Sequence, residues 1–156
     1  MSMNTVNERI AALRAAMEAQ GCAAYIIPTG DPHSSEYLPT HYNSREYFSG
    51  FTGENSNLVV TRTGSALWAD GRFFVQAEKQ LAGTEIALQK MGEPGVPTVE
   101  EYCAKALNEG EALGLCGFTA ACGLVRSLQK ALDAKHCTIK TLHLEDELWT
   151  EGRPEL

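Results

Sequence analysis

The chain has 156 residues, of which 44% are hydrophobic, and carries a formal net charge of −7. One folded domain is expected at this length, because two separate cores would each be small. The acidic balance argues against nucleic acid as a partner, and no apolar run approaches the roughly 20 residues of a membrane helix, so a soluble protein is predicted.

The first half of the chain predicts a helix, a strand, a long loop and a hairpin. Thr5 and Glu8 form a capping box before a helix that ends ahead of Gly21, and the apolar run after it predicts a strand buried on both faces. The loop that follows, 31–57, has little periodicity, and loops of this length are usually functional. Two strand-like runs divided by a turn, in which Gly64 offers a positive φ, then predict an antiparallel hairpin.

Helices and strands alternate along the second half. They are a helix with Phe74, Ala77 and Leu81, a strand over 84–90, a helix from 98 to about 107, a strand over 112–116, a helix with Leu124, Leu128, Ala131 and Leu132, and a strand over 137–142. Asp70 is expected to cap the first of these helices, and Thr98 with Glu101 forms a capping box for the second. The order predicts an α/β protein in three layers, with a six-stranded mixed sheet and helices on both faces.

No single motif of the chain predicts a reaction. G-x-x-x-x-G-K-[ST], G-x-G-x-x-G, G-x-S-x-G and H-E-x-x-H do not occur. The five cysteines are odd in number and form no C-x-x-C pair, so we expect them to stay reduced and to pack as small apolar side chains. The start of the chain lacks the pattern of a secretory signal, which indicates the cytoplasm. Residue chemistry alone leaves 31–72 as the only functional candidate.

Three segments of this region, taken together, resemble one known family. They are Asp31-Pro32-His33-Ser34-Ser35-Glu36-Tyr37, Ser44-Arg45-Glu46-Tyr47-Phe48-Ser49-Gly50-Phe51 and Leu67-Trp68-Ala69-Asp70-Gly71-Arg72-Phe73-Phe74-Val75-Gln76-Ala77. They are similar to D-x-H-x-S-E-Y, S-G-F and W-x-D-G-R-[FY]-x-x-Q-A in the N-terminal domain of Xaa-Pro aminopeptidases, most closely those of the long, three-domain cytosolic type. Two further segments resemble the same family. In one, Met-Gly at 91–92 precedes Pro-Thr at 97–98, and in the other, D-x-x-W at 146–149 precedes Arg-Pro at 153–154.

The resemblance implies a ribonuclease H-like fold, also called the creatinase N-terminal domain, over 1–143, with 144–156 as the start of a linker to missing domains. The parent protein would release the N-terminal residue from peptides with proline second. Two divalent metal ions, usually manganese, would act in the missing catalytic domain. This chain itself would hold no metal ligand and no catalytic residue, and alone it is expected to be inactive. The implied partners are the remaining domains of the same polypeptide and a second copy in a homodimer.

Seven residues fall on motif positions of the family and are expected to shape the substrate entrance or to support it. They are Asp31, His33, Glu36, Tyr37, Arg45, Asp70 and Arg72. Arg45 and Arg72 offer guanidinium groups to a peptide carboxylate or to structural acids. Scaffold roles are favoured over substrate contact. Those roles are Asp70 as a helix cap, Arg72 paired with Asp31 or Glu36, Tyr37 and Phe51 packed, and Trp68 in the core.

Two other interpretations stay open. One is a free-standing module of the same fold that binds a small ligand or peptide, and the other is the N-terminal domain of a prolidase or creatinase relative. A reading frame that continues past Leu156 into sequence rich in Asp, His and Glu favours the aminopeptidase domain, whereas a native stop codon there favours the free-standing module. A creatinase relative is expected to lack the D-G-R-F-F-x-Q-A and R-P patterns.

Overall fold

The computed structural model describes residues 6–28, 48–51, 56–62, 64–69, 71–115, 122–133, 135–141, 144 and 148. The regular elements within them are α1 (Val6–Ala19), β1 (Ala24–Pro28), β2 (Asn57–Thr61), β3 (Ser65–Ala69), a 3₁₀ turn (Gly71–Phe73), α2 (Phe74–Gln80), β4 (Ile86–Lys90), α3 (Val99–Ala106), β5 (Ala112–Leu115), α4 (Cys122–Asp133) and β6 (Thr138–Thr141). None of the helices in these ranges has the length and apolar content needed to cross a membrane.

The strands form one six-stranded sheet in the order β4-β3-β2-β1-β5-β6. β2 runs antiparallel to both of its neighbours, β1 and β3. The remaining pairs, β3 with β4, β1 with β5 and β5 with β6, are parallel. The predicted mixed sheet is confirmed, and β2 is the one strand that opposes the other five.

Helices cover both faces of the sheet, as predicted, and each face has its own hydrophobic cluster. The α1-side cluster is formed by residues of α1, α2 and the strand faces beneath them, including Ile10, Leu13, Met17, Tyr25, Ala77 and Leu81. The α3-side cluster is formed by residues of α3, α4 and the opposite strand faces, including Ile26, Trp68, Cys103, Leu107, Leu128 and Leu132. The sheet is therefore the middle layer of three.

β1 is buried on both faces, which explains why its sequence is an unbroken apolar run. Tyr25 and Ile27 belong to the α1-side cluster and Ile26 to the α3-side cluster, and all three are at most 3% exposed. Gly114 of β5 pairs with Tyr25 in the parallel register. A Cβ atom at this glycine would lie 2.7 Å from Cδ2 of Tyr25, so the tyrosine ring occupies the space of the missing side chain.

The helix ends confirm the capping prediction made for α3. At α3, the Thr98 hydroxyl accepts a hydrogen bond from the Glu101 N–H at 3.1 Å, in the predicted capping box. The N-cap of α2 is Phe73, which makes no side-chain capping bond. A 3₁₀ turn precedes this α-helix, and the cap by Asp70 stays a prediction. Asp70 itself lies outside the described residues, as does Thr5 of the other capping box.

The hairpin between β2 and β3 is closed by the backbone N–H and the side chain of Thr61 rather than by a glycine with positive φ. Gly64 does not adopt the positive φ that its position offered, so that prediction is wrong. Instead, the Thr61 hydroxyl donates to the Gly64 carbonyl at 3.0 Å and accepts from the Gly64 N–H at 3.1 Å. Arg14 of α1 donates from Nε to the Thr61 carbonyl at 2.8 Å and ties the turn to the helix.

We expect Gly114→Ala to destabilise the protein by about 1–3 kcal/mol, because the added methyl group collides with the buried Tyr25 ring. Urea unfolding followed by circular dichroism measures the change. Gly64→Ala is the matched control, since a Cβ there meets no atom within 4 Å. Equal unfolding free energies for the two variants would show that the β1–β5 contact is looser than the structure indicates.

Cys103 is expected to resist alkylation at pH 8 in the folded protein. Burial raises the pKa of its thiol from 9.0 to about 12, and the charge of Glu100 adds to the effect. Only the thiolate reacts, so native Cys103 should stay unlabelled by iodoacetamide and become labelled in urea, as read by peptide mass spectrometry. The thiol ionises at a lower pH in the unfolded chain than in the folded protein. The contribution of Cys103 to the free energy of unfolding is therefore complete below pH 9 and declines as the pH rises toward 12. Equal labelling with and without urea would contradict the burial.

Candidate functional site

Five of the six strands in the described sheet end at the same edge. Because β2 alone runs in the opposite direction, β1, β3, β4, β5 and β6 all have their carboxyl ends there, and β2 begins there. We call this side the carboxyl edge. Ligands of open α/β sheets bind outside the carboxyl ends of the strands, so this edge is the candidate site.

The three segments that resemble aminopeptidase motifs are attached to the carboxyl edge. The register pairs Pro28 with Asn57 and Asn57 with Trp68, so the end of β1, the start of β2 and the end of β3 lie side by side. The first segment follows β1 in the chain, the second precedes β2, and the third spans the end of β3 and most of α2. The topology therefore attaches all three segments to one side of the sheet.

Among the seven predicted site residues, the structure describes Arg72 alone. It lies in the 3₁₀ turn after β3, is exposed, and holds its guanidinium carbon 5.3 Å from the centroid of the Phe73 ring, within the range of a cation–π contact. Its pairing with Asp31 or Glu36 stays a prediction. The six residues that lie outside the described part are Asp31, His33, Glu36, Tyr37, Arg45 and Asp70.

Three aromatic residues of the motifs, which we call the edge phenylalanines, pack into the α1-side cluster: Phe48, Phe51 and Phe73. Phe48 and Phe51 are fully buried, and Phe73 packs against the cluster. The rings of Phe51 and Phe73 meet edge to face with centroids 6.1 Å apart. The predicted packing of Phe51 is confirmed. Phe48 was not predicted, although its spacing of three from Phe51 within a polar stretch is a signal of burial.

The turn between Phe48 and Phe51 is shaped by the two small residues of the motif. The buried Ser49 hydroxyl accepts a hydrogen bond from the Phe51 N–H at 3.1 Å. Gly50 has φ of 75°, and a Cβ atom there would lie 3.3 Å from Cγ2 of Val6. A glycine is therefore favoured both by the backbone angle and by the close approach of α1.

Trp68 is buried in the α3-side cluster, as predicted, and satisfies its indole N–H there. Nε1 donates to the Pro97 carbonyl at 2.8 Å, and the ring meets Tyr102 edge to face with centroids 5.1 Å apart. Burial raises the pKa of the Tyr102 hydroxyl. Pro97 and Thr98, which form the P-T motif shared with the family, therefore both have structural roles. The Pro97 carbonyl accepts the hydrogen bond from the Trp68 indole, and Thr98 caps α3.

The described residues form no group suited to a metal ion, and the three cysteines among them are buried. Within the described ranges, no three or more His, Cys, Asp and Glu side chains come together in a group able to hold a metal ion. Cys22, Cys103 and Cys137 are free thiols and buried, which confirms for these three the predicted packing as apolar side chains. The residues that the structure describes therefore do not fit the two metal ions implied by the resemblance.

A pocket of about 460 Å³ lies at the opposite edge of the sheet. Its lining includes Arg14, Met17, Glu18, Cys22, Arg62 and Glu111. Arg14 is bonded to Glu85 at 3.0 Å, and Arg62 donates to both carboxylate oxygens of Glu111. Burial tends to raise the pKa of the Glu111 carboxyl, but the Asn108 N–H and Arg62 outweigh it and hold that pKa below its usual value. Both guanidinium groups are neutralised within the protein, so this pocket does not favour the free-standing ligand module.

Known proteins of similar sequence are aminopeptidases much longer than this chain. Aminopeptidase P2 of Arabidopsis thaliana is 39% identical over 155 residues, covering 96% of this chain and 22% of that protein. A probable Xaa-Pro aminopeptidase P of Laccaria bicolor is 37% identical over 156 residues, covering 97% of this chain and 24% of that protein. The chain thus spans about a quarter of the length of these relatives.

Solved structures confirm the predicted fold. The X-prolyl aminopeptidase of Caenorhabditis elegans, described as a cytosolic enzyme with a di-nuclear active site, superimposes with a TM-score of 0.89 at 32% identity, over 99% of this chain and 27% of that one. The N-terminal domain of the cytoplasmic peptidase PepQ of Mycobacterium tuberculosis gives a TM-score of 0.65 at 25% identity, over 91% of this chain and 98% of that one. The sequence model of one protein family, the Creatinase/Prolidase N-terminal domain, matches residues 9–146, and the chain belongs to that family.

Proposed function

We propose that this chain is the non-catalytic N-terminal domain of a metal-dependent Xaa-Pro aminopeptidase. The parent enzyme would release the N-terminal residue from peptides that have proline at the second position. The observation that carries the proposal is coverage: aminopeptidase relatives align with 96–97% of this chain, yet this chain accounts for only 22–24% of their length. A region of that size outside this chain has room for the catalytic domain.

The proposed division of labour assigns the chemistry to the rest of the parent. A di-nuclear active site is named for the worm enzyme, and two divalent metal ions, usually manganese, would serve the parent here. Their ligands would come from outside this chain, since the described residues form no group suited to a metal ion. The cytosolic description of the same neighbour supports a cytoplasmic parent.

The contribution of this domain would be made at the carboxyl edge. The proposal assigns Asp31, His33, Glu36, Tyr37, Arg45, Asp70 and Arg72 to the substrate entrance or its support, and assigns homodimer assembly to the same domain. Its support is topological, because the strand register brings the attachment points of all three motif segments together. The exposed Arg72 beside them has the charge and geometry to bind a carboxylate.

The isolated chain is expected to hydrolyse no Xaa-Pro peptide, even with added manganese, because the ligands and the catalytic base would be missing. Release of the first residue from a peptide such as Arg-Pro-Pro, followed by mass spectrometry, measures the activity, and the longer parent protein is the positive control. Metal-dependent release by this chain alone, at rates typical of the intact enzyme, would overturn the proposed division of labour.

In the parent enzyme, Arg45→Ala and Arg72→Ala are expected to act through KM or dimerisation. Loss of one exposed guanidinium contact is worth about 1 kcal/mol, which corresponds to roughly a fivefold rise in KM with kcat retained. Steady-state kinetics and light scattering measure the two effects. Arg126→Ala, on the exposed surface of α4, is the matched control and should change neither. A collapse of kcat with unchanged substrate binding would contradict an entrance role.

A further inference from the structure

Both described residues beyond β6 contact the α1-side cluster. Leu144 is 1% exposed and belongs to the α1-side cluster, and Leu148 packs against the same cluster. We call Leu144 and Leu148 the exit leucines. The region predicted as a linker from residue 144 therefore places one apolar side chain in the core and a second against it.

The exit leucines share that cluster with all three edge phenylalanines. Phe48, Phe51 and Leu144 are buried members of it, while Phe73 and Leu148 are partly buried and pack against it. The α3-side cluster contains neither group. One continuous apolar unit thus joins two of the motif segments to the residues that follow the last strand.

We propose that the exit leucines are positioning residues, which hold the motif-bearing turns at the carboxyl edge in a fixed relation to the polypeptide that follows β6. Close-packed apolar clusters transmit small displacements, because a side chain that moves leaves a void or a collision that its neighbours must accommodate. The second motif segment is the best placed to respond. A Cβ atom at Gly50 would lie only 3.3 Å from Cγ2 of Val6, so the turn is close to α1. Val6 itself packs against the same cluster.

Nuclear magnetic resonance of this chain tests the proposal without reference to activity. Leu148→Ala removes three carbons at a partly buried site, so the domain is expected to stay folded. It should shift the amide resonances of Ser49, Gly50 and Phe73 and speed their hydrogen exchange at least threefold, whereas Leu148→Met should restore both.

Ile139→Ala is the matched control for this experiment. It removes the same three carbons from an isomeric side chain, which is also partly buried but packs against the α3-side cluster. A general loss of stability would affect the motif amides in both variants, whereas positioning affects them in Leu148→Ala alone. Equal effects of the two variants on Ser49 and Gly50, or no effect of either, would overturn the proposal.

A second measurement rests on the proposed function. In the parent enzyme, Leu148→Ala should raise KM for an Xaa-Pro peptide roughly threefold while kcat is retained, and Ile139→Ala should leave KM unchanged. A wild-type parent that cleaves no Xaa-Pro peptide would refute the proposed function and leave the resonance experiment valid. A parent that cleaves normally, with KM unaffected by Leu148→Ala, would instead refute positioning.

Discussion

The burial of residues 24–27 of β1 on both faces is the constraint on which the rest of the structure depends. Their side chains enter both clusters, so this stretch must lie inside the sheet with a partner strand on each side. β2 and β5 fill those places in opposite orientations. The long connection from β1 to β2 therefore starts and ends at the carboxyl edge, and the first two motif segments are part of it.

Much of the fold could be predicted because its signals are local. The capping box at Thr98, the apolar spacing in α1 and the hairpin of β2 and β3 each need only a few consecutive residues to be recognised. The sheet order could not be predicted in this way, since pairing β1 with β2 across a long loop depends on packing rather than on local preference.

The candidate site was less accessible from residue chemistry than the fold was. An isolated Arg72 or Phe48 carries no signal of function. Residue chemistry indicates only the region 31–72 as a whole, and the combined motifs of the resemblance are needed to distinguish the three segments within it. The edge phenylalanines show why, because Phe48 and Phe51 are used in packing and look like ordinary core residues. The exit leucines were missed for the opposite reason, since three acidic residues stand between them and the resemblance implies a linker from residue 144.

The third motif segment joins the two faces of the sheet. Trp68 enters the α3-side cluster, where Pro97 and Tyr102 hold it, while Phe73 packs against the α1-side cluster and touches Phe51. The residues between them must therefore turn around the end of β3, and the 3₁₀ turn accomplishes this. The motif residues Leu67, Trp68, Ala69, Phe73 and Ala77 are accounted for by packing into or against the two clusters, whereas Val75 is 67% exposed. Arg72 lies exposed in that turn with its guanidinium group beside the Phe73 ring, so the segment places a charge at the carboxyl edge while the neighbouring ring packs against the core.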